Sequence, residues 1–313
     1  MLHIRSRLLA SGFSDDEVRR LLRIGDLTRV RRGSYVVGPL PDEPVRRHRL
    51  AISAAVRALA GEAVVSHASA AVVHGLPLWN TPLGRVHVTR DRVTGGRRGR
   101  IVHVHSAPLH PDEIVLVDGV AVTSVARTLV DVARTAPFEQ AVVVVDAALA
   151  RGVVDGPALA EALLRATGWR GAPAARRAVA FAEPGAASVG ESRSRVAIMR
   201  AGLPRPVLQW EVRNGSGHLV GRSDFGWPAL GAVGEFDGGI KYGRLLRPGQ
   251  SPGEAVFAEK VREDRIRATD LGVARWVWDE LGPAFAPVAA RIRAQFRYAR
   301  TPSGAHTHGG HYA

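Results

Sequence analysis

A chain of 313 residues with 43 lysines and arginines against 29 acidic residues carries a formal charge of +14 and is long enough for two or three domains. With 46% hydrophobic and 23% charged residues, its composition is globular and excludes wholesale disorder, while the lack of cysteine excludes disulfides, cysteine–zinc sites, iron–sulfur clusters and a thiol nucleophile. Neither a signal-peptide core nor an apolar run of about 18 residues is present, so a cytoplasmic protein that does not enter a membrane is expected.

The charge is unevenly spread. Residues 1–100 hold 18 arginines and 8 acids, whereas residues 189–282 are nearly balanced, with 14 basic and 12 acidic residues. A basic front end attracts phosphate polyanions. Residues 2–10 are expected to form a short helix, followed by a turn at Ser11-Gly12-Phe13. Ser14-Asp-Asp-Glu17 then has the spacing of a capping box, in which two side chains satisfy free N–H groups at a helix start. The helix from Asp15 to Ile24 places Val18, Leu21 and Leu22 on one stripe and turns Arg19, Arg20 and Arg23 outward, and Gly25 ends it. Leu27–Val30 and Ser34–Val37, joined through Arg31-Arg32-Gly33, read as a hairpin. Helix, turn, helix and basic hairpin describe a winged helix-turn-helix over residues 1–40. DNA is the expected partner, contacted by Arg19, Arg20 and Arg23 on the helix and by Arg29, Arg31 and Arg32 on the wing.

Residues 45–165 mix helix and strand. Val45–Ala60 reads as helix, and Arg85–Arg90 and Arg100–His105 as strands around a Gly95-Gly96 turn. The arginine-rich tip between them is either a surface that tracks DNA backbone or a solvated hairpin end. Thr123 or Ser124 caps a helix to about Arg134 that places Arg127 and Asp131 at i, i+4, and Phe138–Ala150 is another helix. His67 and His74 lie seven apart on one helical face and are expected to be structural rather than a metal pair. Residues 166–187, rich in alanine, glycine and proline, read as a short helix and linker.

Arg5–Val37, the string Ser66-His-Ala-Ser-Ala-Ala-Val-Val-His-Gly-Leu-Pro77 and the run Val122-Thr-Ser-Val-Ala-Arg-Thr-Leu-Val-Asp131 resemble the AbiEi-like abortive-infection antitoxins. The resemblance covers about residues 1–165. It implies a winged-helix domain joined to a mixed α/β domain, autoregulation of an operon and, in a type IV toxin–antitoxin system, opposition to a nucleotidyltransferase toxin as partner.

In residues 188–282, Ser188-Val-Gly-Glu191 opens a helix to about Met199, and Gln209–Arg213 and His218–Asp224 read as strands, with a turn after Asp224. In Glu235-Phe-Asp237 the two carboxylates share one strand face and Phe236 the other. With Asp224 at the end of the neighbouring strand, three hard oxygen donors suited to Mg²⁺ are expected to converge. A helix from Glu254 to about Thr269 and a strand from Val273 to Trp278 follow, with Trp276 and Trp278 on one face. The strings Glu191-Ser-Arg-Ser-Arg, Gly221-Arg-Ser-Asp224-Phe, Glu235-Phe-Asp-Gly238 and Arg262-Glu-Asp-Arg are similar to a small bacterial family related to very-short-patch repair endonucleases. That resemblance implies a PD-(D/E)xK, restriction-endonuclease-like fold with Asp224 and Glu235 or Asp237 as metal ligands. Asp237 is either a further ligand or orients the water, and Glu191, reaching over from the first helix, is either an outer ligand or simply the capping-box carboxylate. The lysine position of the D/E-x-K triplet holds Asp237, so either Lys241 supplies the cation from the next turn or the metal does without it. Residues 283–313 read as a basic, histidine-containing tail. The expected class is therefore α/β (α+β): winged helix, mixed middle domain and endonuclease-like domain. The expected function is that of a DNA-binding defence or regulatory protein with Mg²⁺-dependent phosphodiester hydrolysis. The alternative is a non-enzymatic repressor and antitoxin with a degenerate nuclease fold.

Overall fold

The computed structural model describes residues 2–59, 63–92, 94–238 and 269–296. It is a mixed α/β structure that divides into two compact units, residues 1–184 and 185–313.

The first unit begins with a strand, β1 (Leu2–Ile4), where a helix was expected from residue 2; helix α1 starts only at Arg5 and runs to Ala10. The reason is non-local, because Leu2 to Ile4 pair antiparallel with Val36 to Ser34. Helix α2 (Asp15–Ile24) has the expected capping box, with Glu17 N donating to Ser14 Oγ and Ser14 N to the Glu17 carboxylate. It ends at Gly25, whose φ of 86° suits glycine. Strands β2 (Leu27–Arg31) and β3 (Ser34–Val37) form a hairpin, and the three-stranded sheet has the order β1-β3-β2. Val18, Leu27 and Tyr35 are its small buried core, flanked by Leu8, Leu21 and Leu22.

Helix α3 (Pro44–Ala58) leads to strand β4 (Val64–Val65) and helix α4 (His67–Val73). Strands β5 (Val86–Arg90), β6 (Arg97–Arg98), β7 (Val102–Ser106), β8 (Ile114–Val117) and β9 (Val120–Thr123) complete a six-stranded sheet of order β6-β7-β5-β4-β9-β8. The expected pairing across Gly95-Gly96 is corrected here: β5 and β7 run parallel, and it is β6 that turns back antiparallel on β7. Val86, Val88, Val102 and Val104 pack with Ile52 and Ala55 of α3 and Ala70 and Val72 of α4. Alternation therefore gives His87, Thr89, His103 and His105 to the opposite face.

Four helices follow: α5 (Val125–Thr135), α6 (Phe138–Ala150), α7 (Gly156–Arg165) and α8 (Ala172–Phe181). The short helix expected ahead of the Glu183–Ala187 linker is α8, which packs on α5 and α6 with Ala175 and Ala178 fully buried.

The second unit opens with α9 (Val189–Arg200), then β10 (Val207–Arg213), β11 (Leu219–Trp227), β12 (Ala232–Asp237) and β13 (Gly272–Val277), hydrogen-bonded in that order. The first three strands are antiparallel and β13 runs parallel to β12. Strand β11 continues three residues beyond Asp224, and the turn comes at Pro228–Gly231 instead. One face of the sheet packs Phe225, Trp227, Phe236 and Trp276 with Ile198 of α9 and with Phe285, Val288 and Ile292 of α10 (Phe285–Gln295). Part of the expected tail is therefore a core helix: Arg291 donates to Arg275 O (2.9 Å) and Glu280 (2.7 Å), and Arg293 to Ala201 O (2.6 Å). The expected helix from Glu254, Lys241 and the tail residues from Arg297 onward lie outside the described residues. No helix among the described residues is long and apolar enough to cross a membrane.

Candidate functional site

The N-terminal basic surface is built by amphipathic alternation. Val18 is buried while Arg19, Arg20 and Arg23 of α2 are exposed, and Arg29 and Arg32 stand exposed on the adjoining hairpin. Arg19 pairs with Asp16 at 2.6 Å, but both are solvated and the pair is worth little. Arg31 is placed differently from its neighbours. It is half-buried and donates from Nη1 to Ala54 O at 3.3 Å, joining the hairpin to α3.

In the second unit the carboxylates gather where β11 and β12 part. Their ladder ends at Phe225 opposite Gly234, and one further step of the same register would set Asp224 against Glu235. Instead, Asp224 Oδ2 accepts from Phe236 N at 2.9 Å. Across the other edge, Gln209 lies opposite Asp224 in the β10–β11 register, with φ at 51°. Its amide Nε2 donates to Glu191 Oε2 at 2.8 Å and reaches Asp224 Oδ1 at 3.5 Å.

Glu191 is buried. Its carboxylate also accepts from Ala187 N (2.9 Å) and Ser188 Oγ (2.8 Å), so it closes the helix start one residue earlier than the usual capping box. Burial, and then the neighbouring Asp224 charge, push the Glu191 carboxyl above its ordinary range. Glu235 is buried and Asp237 half-buried on the strand face away from Phe236. Asp224, Glu191 and Gln209 are thus brought together. No three carboxylates among the described residues each place an oxygen within 4.8 Å of the others.

Among the described residues that spacing is met by one group, the histidines 67, 87 and 105. The parallel register sets His87 against His103 and Thr89 against His105 on one face of the sheet. His67 enters from α4, buried, with φ at 53°. That is a left-handed conformation costing a non-glycine residue about 1 kcal/mol. His87 Nδ1 lies 3.0 Å from His105 Nε2, and the His67 and His105 rings stack with centroids 3.7 Å apart. His103 lies against His105 at 3.9 Å.

Burial is the first cause lowering all four: His67 well below its ordinary range, His87 to about 4, His105 to about 2, and His103 also downward. Neighbouring arginine and histidine charges add to the effect, while Asp131 opposes it at His105. The imidazoles are therefore neutral near pH 7. Behind them Asp131 is fully buried, with Oδ2 3.9 Å from His67 Nδ1 and 3.0 Å from Arg127 Nε, and Oδ1 2.9 Å from Arg134 Nε. Arg127 also meets Glu113 at 2.8 Å and lies over the Trp169 ring. His74 takes no part; its Nε2 donates to Thr123 O at 2.8 Å. The cluster went unread in the sequence, where its signal is the alternation Val-His-Val-Thr and Val-His-Val-His on two strands.

No family model matches the chain. Two curated relatives, the uncharacterized proteins MT2308 and Rv2248 of Mycobacterium tuberculosis (strains CDC 1551 / Oshkosh and H37Rv), are each 32% identical over 280 residues, covering 88% of this chain and 94% of the relative. The chain belongs to their family. The solved structure of the RV2827C protein from Mycobacterium tuberculosis is similar with a TM-score of 0.39 and 16% identity, over 68% of this chain and 83% of that one.

Proposed function

We propose that this chain is a DNA-binding protein of a defence or regulatory system whose second unit takes a divalent cation and acts on phosphodiesters. The observation that carries the DNA-binding part is the exposed set Arg19, Arg20 and Arg23 on a capped helix beside a hairpin bearing Arg29 and Arg32. The strand order β1-β3-β2 around that helix pair is the order a winged helix-turn-helix uses, and the resemblance of residues 1–165 to AbiEi-like antitoxins agrees with it. In this reading the arginines contact phosphate and base edges. Replacing Arg19, Arg20 and Arg23 by alanine is expected to weaken DNA binding in fluorescence anisotropy. Each phosphate contact removed lowers the log–log salt slope by about 0.9. Unchanged affinity and slope in a folded variant would sink the assignment.

For the second unit, the fit to a cation rests on Glu191 and Asp224: two adjacent carboxylates, neither in an ion pair among the described residues, with Glu191 already pushed toward protonation. Asp224 would hold Mg²⁺ together with Glu235 or Asp237, two carboxylates at a time, and Glu191 would act from outside through Gln209. Such an ion, when bound, polarises a phosphate and acidifies a water. Gln209 keeps the two carboxylates oriented, and Phe236 N fixes one oxygen of Asp224. Lys241 would stabilise charge on phosphate.

Supercoiled plasmid and single-stranded DNA incubated with Mg²⁺ or Mn²⁺ are expected to be cut, and Asp224→Ala to abolish the cutting. The second reading, a repressor and antitoxin whose nuclease-like unit no longer cleaves, is favoured by Asp237 standing where the nuclease pattern has lysine. Neutralisation of a neighbouring nucleotidyltransferase in co-expression, without cleavage, would select it.

A further inference from the structure

We infer that His67, His87 and His105 form a binding site for a transition-metal ion of the zinc type, held by three imidazole nitrogens with a fourth position open to water. The argument starts from the sheet. The β5–β7 register places His87 of β5 and His103 and His105 of β7 on a face whose opposite side is a valine core, so the rings are driven together by the fold. One nitrogen from each of His67, His87 and His105 lies within 4.8 Å of the others, and the His87–His105 pair is at 3.0 Å. Two nitrogens of a tetrahedral zinc ion are about 3.3 Å apart, so the His87–His105 pair already has close to that separation.

Imidazole is a borderline donor that selects zinc, copper or nickel over Mg²⁺. The site also has the support behind its ligands that such centres need. Asp131, fully buried and fixed by Arg127 and Arg134, stands 3.9 Å from His67 Nδ1, and Ser66 Oγ is 3.0 Å from the same nitrogen. The strained backbone at His67 has no role in capping α4, since Ser66 makes no side-chain cap; it does carry the ring to the sheet face. Arg134 Nη2, 3.3 Å from His67 Nε2, is the group a metal would displace, and Asp131 is there to hold its charge.

The site shares no residue with the carboxylates of the second unit or with the arginines of α2, so it stands or falls apart from the proposed function. The test uses full-length protein in which His306, His308 and His311 are changed to alanine, so that the tail cannot bind metal. It is stripped with a chelator and titrated with Zn²⁺ by calorimetry in millimolar Mg²⁺, which occupies oxygen sites. One ion per chain is expected. His87→Gln and His105→Gln should each weaken binding by roughly 10- to 100-fold or more, whereas His218→Gln, at an exposed position, should not. A second measurement needs no substitution at the cluster: nitrogen-15 shifts of the histidine rings in the tail variant, with and without Zn²⁺. Movement of the His67, His87 and His105 resonances supports the site. Stoichiometric binding that ignores both glutamine variants, absence of binding, or three unmoved rings would overturn it.

Discussion

Acid should open the first unit through its histidines, and the size of the effect follows from the structure. In the unfolded chain a histidine takes up its proton near pH 6.5. In the folded unit, burial holds His87 at about 4 and His105 at about 2, and His67 well below its ordinary range. Because the folded values are depressed, the unfolded state binds more protons below pH 6.5. Stability is therefore fully present at neutral pH and is lost as pH falls toward the folded values. Between pH 7 and pH 5 each such histidine removes about 2 kcal/mol, so the three together remove about 6 kcal/mol. This is an upper bound, since water reaches the outer edges of His87 and His105. The charged and titratable groups around them, Asp131, Arg127, Arg134, Arg85, Arg98, His48 and His103, are present in parent and variants alike.

The informative quantity is thus a difference of differences. The double variant His87→Gln/His105→Gln removes two of the three protonatable groups. Its stability should fall by up to about 4 kcal/mol less than the parent's over the same pH interval. Because the chain forms two compact units, a single global unfolding energy is not the right observable. Hydrogen exchange of peptides from β5, β7 and α4, corrected for intrinsic rates, reads the opening energy locally. A chelator must be present, since a bound metal would hold the imidazoles unprotonated at any of these pH values. An equal fall in parent and double variant would refute the reasoning, because it would mean the buried rings are protonated in the folded state without cost.

Three further substitutions test the packing. A Cβ at Gly190, near the start of α9, would lie 1.9 Å from Phe236 Cε1. Gly190→Ala should therefore cost about 1–3 kcal/mol or more despite alanine's helical preference, lowering the calorimetric transition of the second unit alone. Asp131→Ala strips Arg127, 1% exposed, of one of its two carboxylates and should destabilise the first unit by about 3 kcal/mol in urea titration. Ser14→Ala removes the cap of α2 and should cost about 1 kcal/mol, read as faster exchange of the amides of Glu17 and Val18.

Local signals were legible in the sequence and long-range ones were not. The Ser14–Glu17 box, the helix Phe138–Ala150 and the i, i+4 pair Arg127–Asp131 stand where spacing and capping put them, because each is decided within a few residues. The strand at Leu2–Ile4 was read as helix because only its partner, residues 34–36, makes it extended. The β5–β7 pairing was misread for the same reason: a glycine pair suggests a hairpin, and nothing nearby discloses a parallel partner with β6 on its far side. Arg31 looked like its exposed neighbours because arginine charge is visible in sequence and a bond to Ala54 O is not. The carboxylates were visible as a strand motif, but the role of Gln209 between Glu191 and Asp224 needed the β10–β11 register.

The two candidate metal sites now separate on chemical grounds that composition could not supply. Carboxylate oxygens are hard and charged, and the Asp224 charge beside Glu191 is repulsive, so a cation at the proposed site would be a hard one such as Mg²⁺. The imidazoles of the first unit are neutral and at least partly buried, and their affinity depends on covalency rather than charge, which favours Zn²⁺. Mg²⁺ is a poor partner for neutral imidazoles, whereas Zn²⁺ also binds carboxylate oxygen. Zn²⁺ that is held in excess Mg²⁺ and lost on His105→Gln therefore reports on the histidines, and Mg²⁺-dependent cleavage that survives His105→Gln reports on the carboxylates. Loss of both behaviours on a single His105→Gln change, in a chain that remains folded, would mean that the sites are coupled and that the independence argued from their disjoint residues is wrong.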